Sequence, residues 1–280
     1  MILIKKTADL DNLLTSYRLA GQSIGFVPTM GALHDGHLAL IKISRAGSDK
    51  TVCSIFVNPT QFNNSKDFEK YPITIEKDIN MLEAAGCHVL FLPSVAEMYP
   101  AHDPVINYEL GYVETILEGE YRPGHFQGVC RIVDKLLNAT LPQQMYLGQK
   151  DYQQCMVIKK MMSLQNHDAT LHICDTLREP GGLAMSSRNM RLSAEERTQA
   201  TAIFETLTLL KQNLTLGDLH PLLQQARHAL TRQGFEVDYV AIAAAEDLTL
   251  LTHWDGKEKT VGLIAASLNE VRLIDNLFLN

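Results

Sequence analysis

Short apolar runs alternate with helix-spaced apolar positions through residues 1–175 of this chain. The runs predict strands at Met1–Lys6, Ile24–Val27, Val52–Val57, Val89–Leu92, Met145–Leu147 and Leu171–Cys174. The patterns between them predict helices at about Leu38–Ala46, Ile75–Ala85, Gly128–Thr140 and Tyr152–Gln165. This alternation is typical of an α/β fold, in which a parallel sheet carries helices on both faces. Ligands of such sheets bind beyond the carboxyl ends of the strands.

The alternation is interrupted between Tyr99 and Phe126, where prolines and glycines punctuate the chain. The best strand candidate in this segment is Val105–Glu109. Long irregular segments of compact domains are often functional, so we expect a flap over the ligand site.

A different pattern begins after Leu192. Ser193 and Glu196 have the spacing of a capping box, which predicts a helix from there to about Gln212. A second helix is expected near Leu219–Arg232, followed by strands at Val237–Ala241, Val261–Ser267 and Val271–Asn276. The sequence therefore predicts two domains, 1–176 and a smaller α+β domain at 177–280.

The composition restricts the kinds of partner that we expect the protein to bind. The 280 residues are 46% hydrophobic and 20% charged, and no apolar run approaches the length of a membrane span. The N-terminus lacks the pattern of a signal peptide, so we expect a cytoplasmic protein with no membrane partner. A formal net charge of −7 argues against a nucleic-acid partner. The five cysteines show no metal-ligand spacing and are expected to be buried, reduced thiols.

The most informative stretch is PTMGALHDGH, residues 28–37. A strand, a glycine-bearing turn and a helix follow one another here, which leaves free backbone N–H groups at a helix N-terminus. His34 and His37 share one helical face and can reach the same anion, with triphosphate the obvious choice. An HxGH motif in this setting is a signature of nucleotidyl transfer. The alternative is that one histidine caps the helix and the other is an exposed surface residue.

Four further segments could carry chemistry. Gln61 follows a strand that ends at Asn58-Pro59, and it offers donors and an acceptor without charge. Gly148 lets the backbone approach a ligand, Lys150 suits phosphate, Asp151 could accept from ribose hydroxyls, and Gln154 shares the helical face of Lys150. The segment Met185-Ser-Ser-Arg-Asn189 resembles the mobile phosphate loop of class I synthetases, and Arg122 with His125 could reach over an anion. The competing interpretations are ordinary turn chemistry for Gln61 and for residues 185–189, a solvated helix start for Lys150 and Asp151, and a braced loop for Arg122 and His125.

Taken together and in this order, PTMGALHDGH, SIFVNPTQF, RPGHF, KDYQQ and MSSRN resemble the pantoate–β-alanine ligase family over nearly the whole chain. The resemblance implies a Rossmann-like N-terminal domain, a smaller C-terminal lid domain and a homodimer. It also implies that ATP, (R)-pantoate and β-alanine are converted into pantothenate, AMP and pyrophosphate through a pantoyl adenylate. Mg²⁺ would accompany the ATP.

The resemblance assigns roles by position. His37, His34 and Lys150 would be catalytic, with His37 as the proton donor. Gln61 and Gln154 would hold pantoate, and Gln61 would also lie beside β-alanine. The ATP site would comprise Met30, Gly31, Ala32, Leu33, His34, Asp35, Gly36, His37, Gly148, Gln149, Lys150, Asp151, Leu177, Met185, Ser186, Ser187 and Arg188.

Three positions depart from the pattern of the family. Thr60 stands where a methionine is usual, and Gln149 replaces a usual glutamate. Lys77-Asp78 stands where paired acidic residues are frequent, so only Asp78 could contact Mg²⁺, through water. A direct protein ligand to the metal is therefore in doubt.

Other classes remain open at this point. Another HxGH adenylyltransferase would move AMP onto a phosphate acceptor, which would favour cations where this chain has Gln61 and Gln154. A nucleotide sensor could keep the ATP cleft without catalysis. An aminoacyl-tRNA synthetase is disfavoured because the chain is short and acidic.

Overall fold

A computed structural model describes residues 1–62, 68–69 and 71–280. The chain forms two compact units. The first comprises Met1–Gly148 and Val157–Asp175, and the second comprises Gln149–Met156 and Thr176–Asn280. Residues 149–156 fall in the predicted N-terminal domain, whereas their contacts group them with the C-terminal unit. The difference arises because the carbonyl groups after Gly148 bond to a C-terminal strand, as described below.

The first unit is built on a six-stranded parallel sheet with the order β1-β4-β3-β2-β5-β6. Its strands are β1 (Ile2–Ile4), β2 (Ile24–Thr29), β3 (Lys50–Ile55), β4 (Val89–Phe91), β5 (Gln144–Gly148) and β6 (Thr170–Cys174). All six predicted strands of this region are confirmed. The predicted runs form strands because their side chains are buried on both faces, as in Val27, Val52 and Leu90, each 0% exposed.

The order of the strands places a topological switch point between β2 and β5. The chain passes from β2 to β3 on one side and from β5 to β6 on the other. In open α/β sheets, ligands bind outside the carboxyl ends of the strands at such a point. The carboxyl ends of three neighbouring strands, β3, β2 and β5, therefore form the edge of the sheet where a ligand is expected.

The helices of the first unit include the four predicted ones and further helices that were not predicted. The four predicted ones are observed at Asp35–Gly47, Ile75–Ala84, His125–Thr140 and Tyr152–Leu164, the last of which continues across the unit boundary. The helices Thr7–Leu19 and Val95–Met98 were not predicted. In Thr7–Leu19 the apolar residues Leu10, Leu13, Leu14 and Tyr17 have helix spacing, and of these Leu10 and Leu14 are buried.

The segment between Tyr99 and Phe126 contains a 3₁₀ turn at Gly111–Glu114 and a short helix at Glu118–Tyr121. The predicted strand Val105–Glu109 is wrong, because no ladder forms there. Hydrogen bonds to the helix His125–Thr140 hold this segment instead. The Tyr108 hydroxyl donates to Asp134 over 2.9 Å, and Arg131 pairs with Asp103 over 2.5 Å.

The second unit contains a three-stranded antiparallel sheet of β8 (Glu236–Ala244), β10 (Thr260–Leu268) and β11 (Val271–Phe278). A two-stranded pair, β7 (Gly217–Asp218) and β9 (His253–Trp254), was not predicted. The capping box is confirmed, with Ser193 N donating to Glu196 Oε2 over 2.8 Å. The helix expected to run to Gln212 is two helices, Ala194–Ala200 and Ala202–Gln212, and a third helix spans His220–Arg232. The α+β prediction for this region is confirmed.

Among the described residues, no helix is both long and apolar enough to cross a membrane. All five cysteines are buried and carry free thiols, as expected from the sequence. Burial raises the pKa of Cys87 to about 11 and raises that of Cys53 as well. A raised pKa disfavours nucleophilic chemistry at Cys53 and Cys87, because the thiolate is the reactive form.

Candidate functional site

The turn after β2 adopts an unusual backbone conformation. Gly31 has a φ of 83° and Ala32 has a φ of 49°, so two successive residues lie in the left-handed region. A non-glycine residue rarely occupies this region without support from its surroundings. The turn leads to His34, the N-cap of the helix Asp35–Gly47.

Asp78 supplies that support. Its Oδ2 accepts from Ala32 N over 2.9 Å, and its Oδ1 accepts from Leu33 N over 2.8 Å. The Thr74 hydroxyl donates to the same carboxylate over 3.0 Å. Asp78 is 0% exposed. A carboxylate that is buried and engaged in this way braces the turn, and it does not fit the role of a contact to hydrated Mg²⁺.

His34 and His37 lie together at the start of the helix, with their ring centroids 4.0 Å apart. The backbone N–H of His34 donates to His37 Nδ1 over 3.3 Å. Because Nδ1 is the acceptor, neutral His37 carries its proton on Nε2. Nε2 is therefore the ring nitrogen of His37 that can donate to an anion.

Gln61 follows β3 in the 3₁₀ turn Pro59–Gln61 and is held by Asn58. Asn58 Nδ2 donates to the Gly128 carbonyl and to Gln61 Oε1, each over 3.0 Å. A carbonyl can only accept, so the orientation of the Asn58 amide is determined. Gln61 must then direct its Nε2 away from Asn58, and this atom lies 3.1 Å from Met30 Sδ. The structure thus brings Met30 and Gln61 into contact.

The helix His125–Thr140 packs directly on the backbone of this turn. A Cβ atom on Gly128 would lie 2.2 Å from the Thr60 carbonyl oxygen, so only glycine fits. His125 Nδ1 lies 2.8 Å from the Gln61 carbonyl oxygen, and its Nε2 lies 3.2 Å from Arg122 Nη1. Since Arg122 only donates, Nε2 accepts and Nδ1 carries the proton. Among the alternatives for Arg122 and His125, these contacts favour bracing of the loop.

Thr60, one of the three positions that differ from the family pattern, is hydrogen-bonded within the polar cluster around Asn58. Its hydroxyl donates to Asn58 Oδ1 over 3.0 Å and lies 3.2 Å from the Tyr99 hydroxyl. Tyr99 donates to the same Asn58 oxygen over 2.7 Å. Tyr99 therefore connects the irregular segment to the residue that orients Gln61.

Gly148 ends β5, beside β2 at the switch point. Among the described residues, no atom lies within 4 Å of the position that a Cβ on Gly148 would take. The expected close approach of a ligand to this backbone has space there.

The remaining candidate residues belong to the second unit. Gln149, Lys150 and Asp151 form a 3₁₀ turn, in which Lys150 Nζ lies 3.6 Å from Asp151 Oδ1. Gln154 is half-buried in the first turn of the helix Tyr152–Leu164.

The other segment of the second unit is a hairpin-like loop. Met185 N donates to the carbonyl of the exposed Leu177 over 3.0 Å. Ser186 is the N-cap of the 3₁₀ turn Ser187–Arg191, and its hydroxyl accepts from Arg188 N over 3.3 Å. Ser186, Ser187 and Arg188 are all half-buried.

The residues that orient the candidate groups carry little local signal in the sequence. Asn58 is part of a turn motif, and the sequence suggests Asp78 only as a metal contact. Nothing in the local sequence marks Tyr99 or Asn276. Their partners lie far away along the chain, and no local spacing pattern marks such contacts.

The parallel sheet, its switch point and the histidine-bearing turn define a Rossmann-like α/β protein. A family model described as pantoate-beta-alanine ligase matches residues 2–278. The chain therefore belongs to the pantoate–β-alanine ligase family, a family of enzymes.

Relatives and solved structures agree with this assignment. The pantothenate synthetase of Cytophaga hutchinsonii is 43% identical, with 99% of each chain covered. That of Porphyromonas gingivalis is 41% identical over 99% of each chain. The crystal structure of pantothenate synthetase from Thermus thermophilus matches with a TM-score of 0.91 at 37% identity, covering 100% of this chain and 99% of that one. A ligase from Francisella tularensis, crystallised with beta-gamma ATP and beta-alanine, matches with a TM-score of 0.83 at 36% identity, covering 100% and 98%.

Proposed function

We propose that this enzyme condenses (R)-pantoate with β-alanine, using ATP, to give pantothenate, AMP and pyrophosphate. The reaction passes through a pantoyl adenylate. The observation that carries the proposal is the turn after β2, where the Nε2 donor of His37 and the amide of Gln61 lie at the carboxyl ends of neighbouring strands. A neutral amide suits a carboxylate substrate, and a histidine at a helix N-terminus suits a phosphate.

In the first step an oxygen of the pantoate carboxylate attacks the α-phosphorus of ATP, and pyrophosphate leaves. Both reactants are anions, so the enzyme must supply positive charge and fix their geometry. His37 donates from Nε2 to the phosphate on which charge accumulates, and His34 lies beside it. The nucleotide lies against the turn from Met30 to His34 and against Asp35 and Gly36, the first residues of the helix.

Gln61 holds the acid. Its Oε1 is occupied by Asn58, so the donor end of the amide, Nε2, lies on the Met30 side. They bind the carboxylate or a hydroxyl of pantoate and later lie beside β-alanine. Gln154 supplies a second amide for pantoate.

The second unit contributes charge for the phosphates. Lys150 acts on the α- and β-phosphates, and Ser186, Ser187 and Arg188 bind the departing pyrophosphate. A guanidinium and two hydroxyls suit a multiply charged leaving group. The family resemblance also assigns Gly148, Gln149, Asp151, Leu177 and Met185 to binding of the nucleotide.

In the second step the neutral amine of β-alanine attacks the carbonyl carbon of the adenylate. The bond from that carbon to the AMP oxygen breaks, and the amine loses a proton. Because an acyl adenylate hydrolyses readily, water must be kept from it until the amine arrives.

Mg²⁺ enters as part of the MgATP substrate. Asp78 does not fit as its ligand, because the carboxylate is buried and accepts from Ala32, Leu33 and Thr74. Among the described residues, no group of three or more His, Cys, Asp or Glu side chains could hold a metal ion.

The family resemblance also supports a cytoplasmic homodimer. Light scattering tests the dimer, and we expect twice the 31.3 kDa mass of one chain.

The reaction is tested by exchange of labelled pyrophosphate into ATP. We expect exchange with ATP and pantoate alone, followed by release of AMP once β-alanine is added. Exchange that needs a phosphate acceptor instead of pantoate would identify an adenylyltransferase. Binding of ATP with no exchange under any condition would identify a sensor.

A further inference from the structure

Asn276, near the C-terminal end of the chain, is bonded to the turn that carries Lys150. Its Nδ2 donates to the carbonyl oxygens of Gln149 and Lys150, each over 2.8 Å. Both partners only accept, so the orientation of this amide is determined. Its Oδ1 accepts from Gln149 Nε2 over 3.1 Å. Asn276 is 2% exposed, so these bonds form away from solvent.

Asn276 is in turn held on both sides of its own backbone. Its N–H donates to Asp275 Oδ1 over 2.8 Å, and its carbonyl accepts from Arg178 Nη2 over 3.2 Å. Arg178 and Asp275 form a two-point ion pair, at 2.5 Å between Nη1 and Oδ2 and 3.0 Å between Nη2 and Oδ1. Such planar, paired contacts are geometrically specific.

The same arginine reaches the base of the loop that carries Ser186 to Arg188. Arg178 Nη1 donates to the Gly182 carbonyl over 3.0 Å, and its guanidinium lies 4.0 Å from the centre of the Phe204 ring. Residue 178 also bridges to Ala184, immediately before Met185. Strand β11 is thus connected to the turn that carries Lys150 and to the loop that carries Ser186 to Arg188. These are the two segments for which we propose contacts to phosphate.

We propose that Asn276 is a positioning residue, which sets the location of Lys150 by holding the carbonyl groups of Gln149 and Lys150. This inference rests on the proposed function, because it assumes that Lys150 acts on ATP. Placement matters here because catalysis of phosphoryl-type transfer depends on geometry, and a shift of about 1 Å can cost about 100-fold in rate.

The test is a double-mutant cycle between Asn276 and Lys150. Asn276→Leu keeps the approximate shape of the side chain and removes both donors. We expect kcat/KM for ATP to fall about 10- to 100-fold. In a Lys150→Ala background, the same substitution should change kcat/KM less than about twofold, because the group that it positions is already absent.

Asn280→Leu is the matched control. Asn280 Nδ2 also donates to a backbone carbonyl of the second unit, that of Glu258, over 3.0 Å, and its Oδ1 accepts from Thr260 N over 2.7 Å. We expect this variant to lower the melting temperature while kcat and KM for ATP stay unchanged. A residue with a merely structural role would behave like this control.

Three outcomes overturn the inference. They are unchanged kinetics in Asn276→Leu, an equal loss in both backgrounds, and failure of both Asn276→Leu and the smaller Asn276→Ala to fold. The last would show that the fold itself requires Asn276. If Lys150→Ala retains wild-type pyrophosphate exchange, the proposed role of Lys150 fails together with this inference. If Lys150→Ala loses exchange and Asn276→Leu does not, only the inference fails.

Discussion

Asn58 Nδ2 lies 3.0 Å from Gln61 Oε1, and this one hydrogen bond decides which end of the Gln61 amide is available to a ligand. Asn58 cannot turn its amide over, because its Nδ2 also donates to the Gly128 carbonyl and its Oδ1 accepts from Thr60 N. The side chain of Gln61 therefore presents N–H donors, which suit an anionic or hydroxylated substrate.

Gln61→Glu tests this orientation. The glutamate keeps an oxygen for Asn58, so the fold should survive, but it replaces the two donors with a negatively charged oxygen. We expect KM for pantoate to rise about 100-fold or more, since each charged hydrogen bond contributes about 1.5–3 kcal/mol and the new charge repels the acid. KM for ATP should change little. A variant with unchanged KM for pantoate would remove Gln61 from the acid site.

Asp78→Asn tests the support of the strained turn. One carboxylate oxygen becomes an NH₂ group that faces a backbone N–H of Ala32 or Leu33, so a buried bond is lost. We expect a loss of about 1–3 kcal/mol in the free energy of unfolding, measured by urea denaturation, and a lower rate. The Mg²⁺ concentration for half-maximal activity should stay the same. A large rise in that concentration would instead indicate that Asp78 contacts the metal through water.

His37 can be tested with two amides of different length. Glutamine can place an N–H near the position of Nε2, whereas asparagine places its polar atoms near Nδ1. If the Nε2 donor stabilises the phosphate, His37→Asn should lose about 10²–10³ in the rate of pyrophosphate exchange, and His37→Gln should lose less. Lys150→Ala should show a loss of about the same size as His37→Asn. Equal rates for His37→Asn and the wild type would exclude the proposed donor.

Asp134 should contribute to the loss of folding stability of the protein at low pH. Burial alone would raise the pKa of this carboxyl, but the hydrogen bonds from His167 and Tyr108 outweigh it and the pKa is lowered. A lowered pKa in the folded state adds stability above the unfolded value of about 3.9, and that stability is lost as the pH falls through the folded pKa.

The measurement is the melting temperature between pH 7 and pH 3. Asp134→Asn should be less stable than the wild type at pH 7, and its melting temperature should fall less steeply below about pH 4. Asp168→Asn, at an exposed carboxylate, changes the charge equally and should keep the wild-type slope. Parallel curves for Asp134→Asn and the wild type would contradict this account.

The sheet could be predicted from the sequence because its strands are buried apolar runs such as Ile24–Thr29, for which periodicity is informative. The helix Thr7–Leu19 was not predicted, although Leu10, Leu13, Leu14 and Tyr17 have the spacing of one helical face. The segment Val105–Glu109 has a suitable alternation but pairs with no strand among the described residues, and long-range bonds such as Tyr108 to Asp134 hold it instead.

The residues of the candidate site were also only partly predictable from the sequence. Turn residues and motifs indicated His34, His37 and Gln61, because local sequence determines where a strand ends and a helix begins. Nothing local indicated that Asp78 bonds to a turn 45 residues earlier, or that Asn276 bonds to Lys150. Contacts between distant segments depend on the packed fold, and one sequence does not display them.

The central claim is that the acid is activated by bonding to AMP, and its most direct test follows one oxygen atom. Pantoate labelled with ¹⁸O in its carboxylate is incubated with the enzyme, ATP and β-alanine, and the AMP is analysed by mass spectrometry. Attack of the carboxylate on the α-phosphorus transfers one labelled oxygen to AMP, and the account predicts AMP that carries a single ¹⁸O. Pantothenate formed together with unlabelled AMP would contradict it.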